Sequence, residues 1–433
     1  VKEIGRRRAL GVLGSALAGG CVSGFGSSSG PRRQTVKSLE WTVEDGPAAV
    51  TADPDGAPTP DSWPMAGYDP AGTAAAPAEN APDEFPLERT WSESTGDNLP
   101  TTPAVAGGTL LVSTTHEDSA LFAYDPADGT ERWSTTSGRV GGVAPAIAGD
   151  TAFVSRNEEE SGEYLDAVAL SDGERRWRRA LPSSMPVPPV VAEDTVFTGH
   201  GLDATVLAVD AESGDLGVRL ALSEPSTGIR CVAVANGRAY VGAAGSNTDY
   251  DNLGWLFALD PTAGAVEWVY PAGAPVADLA VRDGTVYLTD GNEVSALDAD
   301  DGEVEWTARD DVDLGRDGRL AVTEDAVLVG ESERTLGLDA SSGETTWTAP
   351  VGGSDVLACA GETVFAAGPV RDSDSWALVA FAVDDGRERL WQDLAARPTG
   401  GTVADGAVFL VTEFGTVHRF GAGDESGSVP ESR

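Results

Sequence analysis

The sequence predicts an all-β fold, an eight-bladed β-propeller of four-stranded antiparallel blades closed by an N-terminal strand that joins the last blade. Three observations carry that expectation. A glycine corner followed by a tryptophan recurs at nearly constant spacing, a tight apolar hairpin recurs between the corners, and the two counts differ by one.

The corner is clearest from Val294 to Trp306. An apolar run ends at Asp298, whose carboxylate can accept backbone N–H groups just ahead, and Gly302 can take the positive φ that closes a short loop between antiparallel strands. Corner glycines stand at Gly129, Gly173, Gly214, Gly264, Gly302, Gly343 and Gly386, in steps of 44, 41, 50, 38, 41 and 43 residues. Trp133, Trp177, Trp268, Trp306 and Trp347 lie four residues after their glycine, Trp391 lies five after, and Val218 replaces tryptophan in the third copy. Asp125, Asp210, Asp260, Asp298 and Asp339 lie four before it, with Ala169 and Ala382 in the other two copies.

The second hairpin reads Arg-Asp-Gly-Thr-Val-Tyr-Leu at 282–288, with relatives at 106–112, 148–154, 192–198, 235–241, 323–329, 360–366 and 404–410. Each unit therefore holds four strands in about 40 residues, the size of a propeller blade. Eight hairpins against seven corners leave the final unit without its fourth strand, whereas Leu87–Ser92, carrying Trp91, is a strand with no unit before it. Pairing the two closes the ring and removes its free edge. A seven-bladed ring with one hairpin left outside is the alternative.

The pattern Ala-Leu-Asp-x-x-x-Gly-x-x-x-Trp resembles the pyrroloquinoline quinone-type propeller repeat over about residues 62–421. Ser62-Trp63-Pro64-Met65-Ala66-Gly67-Tyr68-Asp69 is similar to the short opening segment that precedes the first blade in that family. The resemblance implies tryptophans stacked between adjacent blades. In quinone-dependent dehydrogenases of the family it also implies a quinone and a calcium ion held in the channel by carboxylates and amides, with an aspartate base and often a vicinal cysteine pair. That pair is missing here. The non-enzymatic branch includes the propeller lipoprotein of the outer-membrane barrel-assembly machinery.

The chain ends read differently. Residues 1–21 resemble a twin-arginine export signal, with Arg6 and Arg7 before a short apolar run and Cys21 in a lipoprotein box, as in haloarchaeal exported lipoproteins. Ala9 and Ala18 depart from the preferred phenylalanine and leucine of those motifs. Lipidation at Cys21 would anchor the protein to the outer face of the cytoplasmic membrane. Residues 22–61, rich in Ser, Gly, Pro, Ala and Asp, read as a flexible tether. The propeller is expected over 62–424, with an acidic tail at 425–433.

With 70 Asp plus Glu against 29 Lys plus Arg, the formal net charge is −41. Such self-repulsion is tolerable where concentrated salt screens it, which points to a halophilic setting and away from nucleic acid or anionic lipid as partners. Lys2 and Lys37 are the only lysines, so nearly all cationic charge is arginine.

Candidate sites are few. The repeated aspartates are turn residues first, and a ring of identical corners disperses them rather than gathering a metal site. Cys231 and Cys359 read as buried core residues at similar first-strand positions, and His116, His200 and His418 share no ligand spacing. The acidic runs at 157–160 and 310–313 match no calcium loop. What remains distinctive are three long second-to-third strand connections, from Glu158 to Tyr164, from Ala244 to Trp255 with Asn247, Tyr250, Asp251 and Asn252, and from Gly368 to Trp376. All fall on one rim, the natural place for a binding face.

The expectation is a monomeric, lipid-anchored, extracytoplasmic propeller that binds or scaffolds a protein or glycan partner at those loops and carries no cofactor. The alternative is a quinone- and calcium-dependent dehydrogenase of sugars or alcohols. The charge balance predicts that the melting temperature rises as sodium chloride is raised from about 0.1 M to 2 M, because the Debye length shrinks to a few ångströms. A flat profile would contradict the halophilic reading.

Overall fold

The computed structural model describes residues 5–10, 40–46, 49–50, 58 and 61–422, apart from short stretches at 97–98, 116–119, 136–138, 141–142, 159–161, 183–185, 202–203, 223–226, 247–251, 292, 309–317 and 354. Cys21, His116, Asn247, Tyr250, Asp251, the 310–313 run and the 425–433 tail lie outside them.

Blade 5 shows how the repeat becomes a sheet. Asp278–Arg282, Thr285–Thr289, Val294–Asp298 and Val304–Ala308 pair in order as four antiparallel strands. The second and third strands are almost wholly buried because a neighbouring blade covers each face, so they read as near-continuous apolar runs. The outer strand is only half covered and alternates polar with apolar. Seven further blades repeat this plan: 104–135, 146–180, 190–222, 227–272, 319–349, 356–394, and a last one in which 398–422 takes Leu87–Ser94 as its outer strand. There His418 faces Ser92 and Arg419 faces Trp91 across the ladder. The ring has eight blades and closes between distant parts of the chain.

The corners join one blade to the next. Asp298 Oδ1 accepts the N–H groups of Asp300 and Asp301, and Gly302 N–H reaches the Asp298 carbonyl at 2.9 Å. Gly302 has φ 72°, and a Cβ there would come within 2.6 Å of the Trp268 ring of the preceding blade. Glycine is thus required twice, for the turn and for the indole resting on it. Trp268 Nε1 then donates to the Ala299 carbonyl, three residues before the glycine, at 3.1 Å. Trp91, Trp133, Trp177, Trp306 and Trp347 repeat that bond onto Pro126, Leu170, Ala211, Ala340 and Val383 at 2.8–3.0 Å.

Two copies depart from the rule. Trp391 is 38% exposed and bonds Asp393 of its own strand, so it is not a pin between blades. Its extra residue of spacing puts Leu390, which is buried, at the seat and turns Trp391 to the other face, as a one-residue shift in a strand must. Val218 leaves the joint between blades 3 and 4 without an indole.

Two features lie outside the repeat. Residues 62–81 lace across the inner edges of the ring. Trp63 exchanges bonds with Val105 of blade 1. The carbonyls of Pro64, Pro70, Ala71, Thr73 and Ala74 accept from Ile147, Val234, Val281, Val322 and Cys359, and Asn80 Nδ2 reaches the Val403 carbonyl of blade 8. Innermost strands present unpaired N–H groups to the channel, and this segment satisfies them near one mouth. Within the expected tether, Glu40–Asp45 instead forms a strand against the outer strand of blade 3, Leu216–Leu222, and Gly5–Leu10 pairs with it in turn. That outer strand carries Leu216 and Leu220, both buried, and its edge is paired by Glu40–Asp45. The two cysteines are free and not equivalent: Cys359 aligns with Val281 through its bond to the lacing segment, whereas Cys231 lies three residues earlier in its strand.

Replacing Trp306 by Ala should lower unfolding free energy by about 3 kcal/mol, read by chemical denaturation at fixed molar salt. A loss under about 0.5 kcal/mol would remove the indole from its structural role. In the closing blade, burial and then the nearby Arg89 charge pull the His418 pKa down to about 4. The unfolded imidazole titrates near 6.5, so between those values the unfolded chain binds the proton and the fold loses stability as pH falls. His418→Phe should lose less stability than the parent between pH 7 and pH 4.5. Parallel profiles would show that His418 is not buried neutral.

Candidate functional site

Each strand connection follows from the order of the blade. First-to-second turns, glycine corners and the lacing segment share one face, and second-to-third hairpins share the other. On that second face three hairpins are long. Blade 2 extends through Thr151–Glu158 and Gly162–Ala169, blade 4 through Arg238–Ser246 and Asn252–Asp260, and blade 7 through Thr363–Pro369 and Trp376–Ala382. The blade 5 hairpin has five residues per strand.

The base of the blade 2 hairpin is held by charge. The Asp166 carboxylate is buried and takes both Nε and a terminal nitrogen of Arg178 at 2.7 and 2.8 Å, with Arg156 Nε at 3.3 Å. Arg156 also donates to Thr135 Oγ1 of blade 1, and Arg178 lies over the Tyr164 ring at 4.4 Å. Burying charge is costly unless it is paired and hydrogen-bonded, so these groups fix one arrangement of the hairpin. Sequence reasoning misses this cluster, because no short spacing links Arg156 and Arg178 to Asp166.

On blades 7 and 8 the same face is aromatic. Arg397 is held by Asp355 at 2.9 Å with its guanidinium 5.8 Å from the centre of the Trp376 ring. Phe414, in the hairpin turn of blade 8, is 70% exposed, and Leu99 is 37% exposed. Trp255 of the blade 4 hairpin is half-buried against Gly245. The structure therefore places the ends of the three predicted loops on one face and adds Phe414, Arg397 and Leu99 to them. Phe414 could have been found as a lone large apolar residue in a polar turn.

The mouth of the channel on this face begins the innermost strands. Asp278 accepts Leu279 N–H on Oδ1 and, across the joint, Leu320 N–H of blade 6 on Oδ2, each at 3.0 Å. Burial raises its pKa above the usual carboxylate range, while the Arg319 charge opposes the rise. Burial also pushes the Cys231 thiol up, with Asp278 adding and Arg230 opposing, so it is not a thiolate nucleophile. His200 is buried between blades 3 and 4. The corner aspartates stay dispersed at their turns, and among the described residues no three His, Cys, Asp or Glu side chains gather to hold a metal. Among the described residues no helix is long and apolar enough to cross a membrane.

A PQQ-type repeat family, described as outer membrane protein assembly factor BamB, matches the chain over residues 88–225, 161–254 and 202–426. No curated protein matches. Among solved structures, BamB from Moraxella catarrhalis is 16% identical with a TM-score of 0.58, covering 79% of this chain and 100% of its own. A europium-containing methanol dehydrogenase is 13% identical with a TM-score of 0.67, covering 84% of this chain and 98% of its own. The quinohemoprotein alcohol dehydrogenase ADHIIG from Pseudomonas putida HK5 is 14% identical with a TM-score of 0.66, covering 89% and 85%. At such identities these likenesses speak for the fold, which binding proteins and enzymes share. Together with the eight four-stranded blades, the family match establishes that this chain belongs to the PQQ-type repeat family described as outer membrane protein assembly factor BamB.

Proposed function

We propose that the protein is a non-enzymatic propeller that binds or scaffolds a protein or glycan partner outside the cytoplasm. In this reading it acts as a monomer anchored through a lipid on Cys21 after export by the Arg6-Arg7 signal. The observation that carries the reading is the face of long hairpins, stiffened by the Arg156–Asp166–Arg178 cluster and presenting Trp376 with Arg397, Trp255 and the exposed Phe414. Aromatic and arginine side chains on a rigid frame supply contact area at small entropic cost, which is the composition of interface hot spots.

Among the described residues, those at the channel mouth do not fit a quinone with its calcium. Among the described residues of the innermost strands Asp278 is the only carboxylate, and both its oxygens already hold backbone N–H groups of two blades, while the neighbouring Asp355 holds Arg397. Cys231 and Cys359 lie on different blades and cannot form a vicinal pair.

The test is crosslinking in molar salt from photoreactive groups placed at Trp376 and Phe414, followed by binding measurements on Trp376→Ala and Phe414→Ala. One partner should be captured from both positions, and each substitution should weaken its binding at least tenfold, about 1.4 kcal/mol. Stoichiometric quinone binding with dye-linked oxidation of alcohols or aldoses would overturn the proposal in favour of a dehydrogenase.

A further inference from the structure

The strand added to blade 3 decides where the chain leaves the ring. Glu40–Asp45 runs antiparallel to Leu216–Leu222, with Trp41 opposite Leu222, Glu44 opposite Arg219 and Asp45 opposite Val218. Further contacts hold it there. Glu44 Oε2 lies 3.7 Å from a terminal nitrogen of Arg219, Gly46 N–H donates to the Gly217 carbonyl at 2.7 Å, and Val50 packs against the apolar cluster of Phe197, Val206 and Leu220. A Cβ on Gly46 would overlap the Leu216 carbonyl oxygen, so only glycine lets the chain pass that closely. Gly5–Leu10 covers the far edge of the added strand and precedes Cys21, so the contacts to blade 3 do not depend on it.

The direction of pairing has a consequence for the binding face. An outer strand runs from its glycine corner to the face of the second-to-third hairpins, so Leu216 lies toward the corner face and Leu222 toward the hairpin face. The added strand runs the other way. Chain coming from Cys21 therefore meets the ring at Glu40 on the hairpin face, and Gly46 leaves on the corner face, where the lacing segment lies.

We propose that Glu40–Asp45 is a strap that holds the hairpin face toward the membrane. The proposal rests on the reading of Cys21 as the lipid anchor. From Cys21 the chain has 19 residue steps to Glu40 and 41 to Ser62. Fully extended, these reach at most about 65 Å and about 140 Å. Without the strap the long leash would join the ring on the corner face and could present either face. With the strap the leash is halved and starts from the hairpin face. Bringing the corner face down would then need the chain to double back along the outer strand of blade 3, about 24 Å long. Trp376, Trp255 and Phe414 share the strapped face, so their partner is one presented at the membrane surface.

The test couples the full chain through Cys21 to vesicles bearing a maleimide lipid, with Cys231 and Cys359 replaced by alanine. Chemical coupling reads the geometry whether or not cells add lipid at Cys21, and mass spectrometry of protein from native membranes reads the lipid separately. Donor dyes are placed on blade 7 at two exposed sites, Asp374 in its second-to-third hairpin and Glu362 in its first-to-second turn. Energy transfer to an acceptor in the vesicle surface should be greater from the Asp374 site. Gly46→Val combined with Glu44→Arg forces the Leu216 carbonyl away and sets like charge against Arg219. It should leave the melting temperature of the ring unchanged and abolish the difference between the sites. Equal transfer from both sites in the parent, greater transfer from the Glu362 site, or a difference that survives in the folded double variant would overturn the strap. The comparison within the parent decides by itself should the double variant not fold. Absence of lipid on native Cys21, with the transfer difference intact, would overturn the anchor reading and leave the strap geometry standing.

Discussion

The ring depends on one contact made six times: the indole of one blade rests on the glycine corner of the next and donates its N–H to the carbonyl three residues before that glycine. A blade alone is a small twisted sheet with two apolar faces and no means of burying either. Only a neighbour on each side makes it stable, and the contact that sets the neighbour's position is a flat ring against a residue with no side chain. This one requirement ties the aspartate that shapes the turn, the glycine that closes it and the tryptophan of the blade before it into a single recurring unit.

Edges set the second constraint. Inner strands expose backbone N–H groups to the channel, and 62–81 satisfies such groups of blades 1, 2, 4, 5, 6 and 7. The first and last blades would expose whole sheet edges, and Leu87–Ser94 removes them by pairing with Thr416–Ala422. The outer strand of blade 3 is the exception that takes on extra strands, and the same blade lacks its tryptophan.

Features that a side chain enforces were legible in the sequence, and features made by backbone alone were not. The corner motif and the hairpin count were enough to read four-stranded blades, their number and the closing role of Trp91. The lacing by 62–81 is built mostly from main-chain bonds, so the sequence shows only an opening segment and not its path. The strand at Glu40–Asp45 sits in a composition that looks unstructured, and its pairing with Leu216–Leu222 is made by backbone bonds that no residue pattern announces. Trp391 followed the composition of the repeat but not its register, and register decides the face. For the candidate site, loop length marked the face, whereas the pairing of Arg156, Asp166 and Arg178 brings together residues from neighbouring strands whose partnership no short spacing announces.

The most direct measurement of ring closure uses a cysteine pair across the closing ladder, Ser94→Cys with Thr416→Cys, in a chain whose native cysteines are replaced by alanine. These residues face one another across the last blade. Mild oxidation should join them as the only disulfide, seen by peptide mass mapping, because facing positions on paired strands fall within disulfide reach. Two free thiols after oxidation of the folded protein would contradict a ring closed between Leu87–Ser94 and Thr416–Ala422.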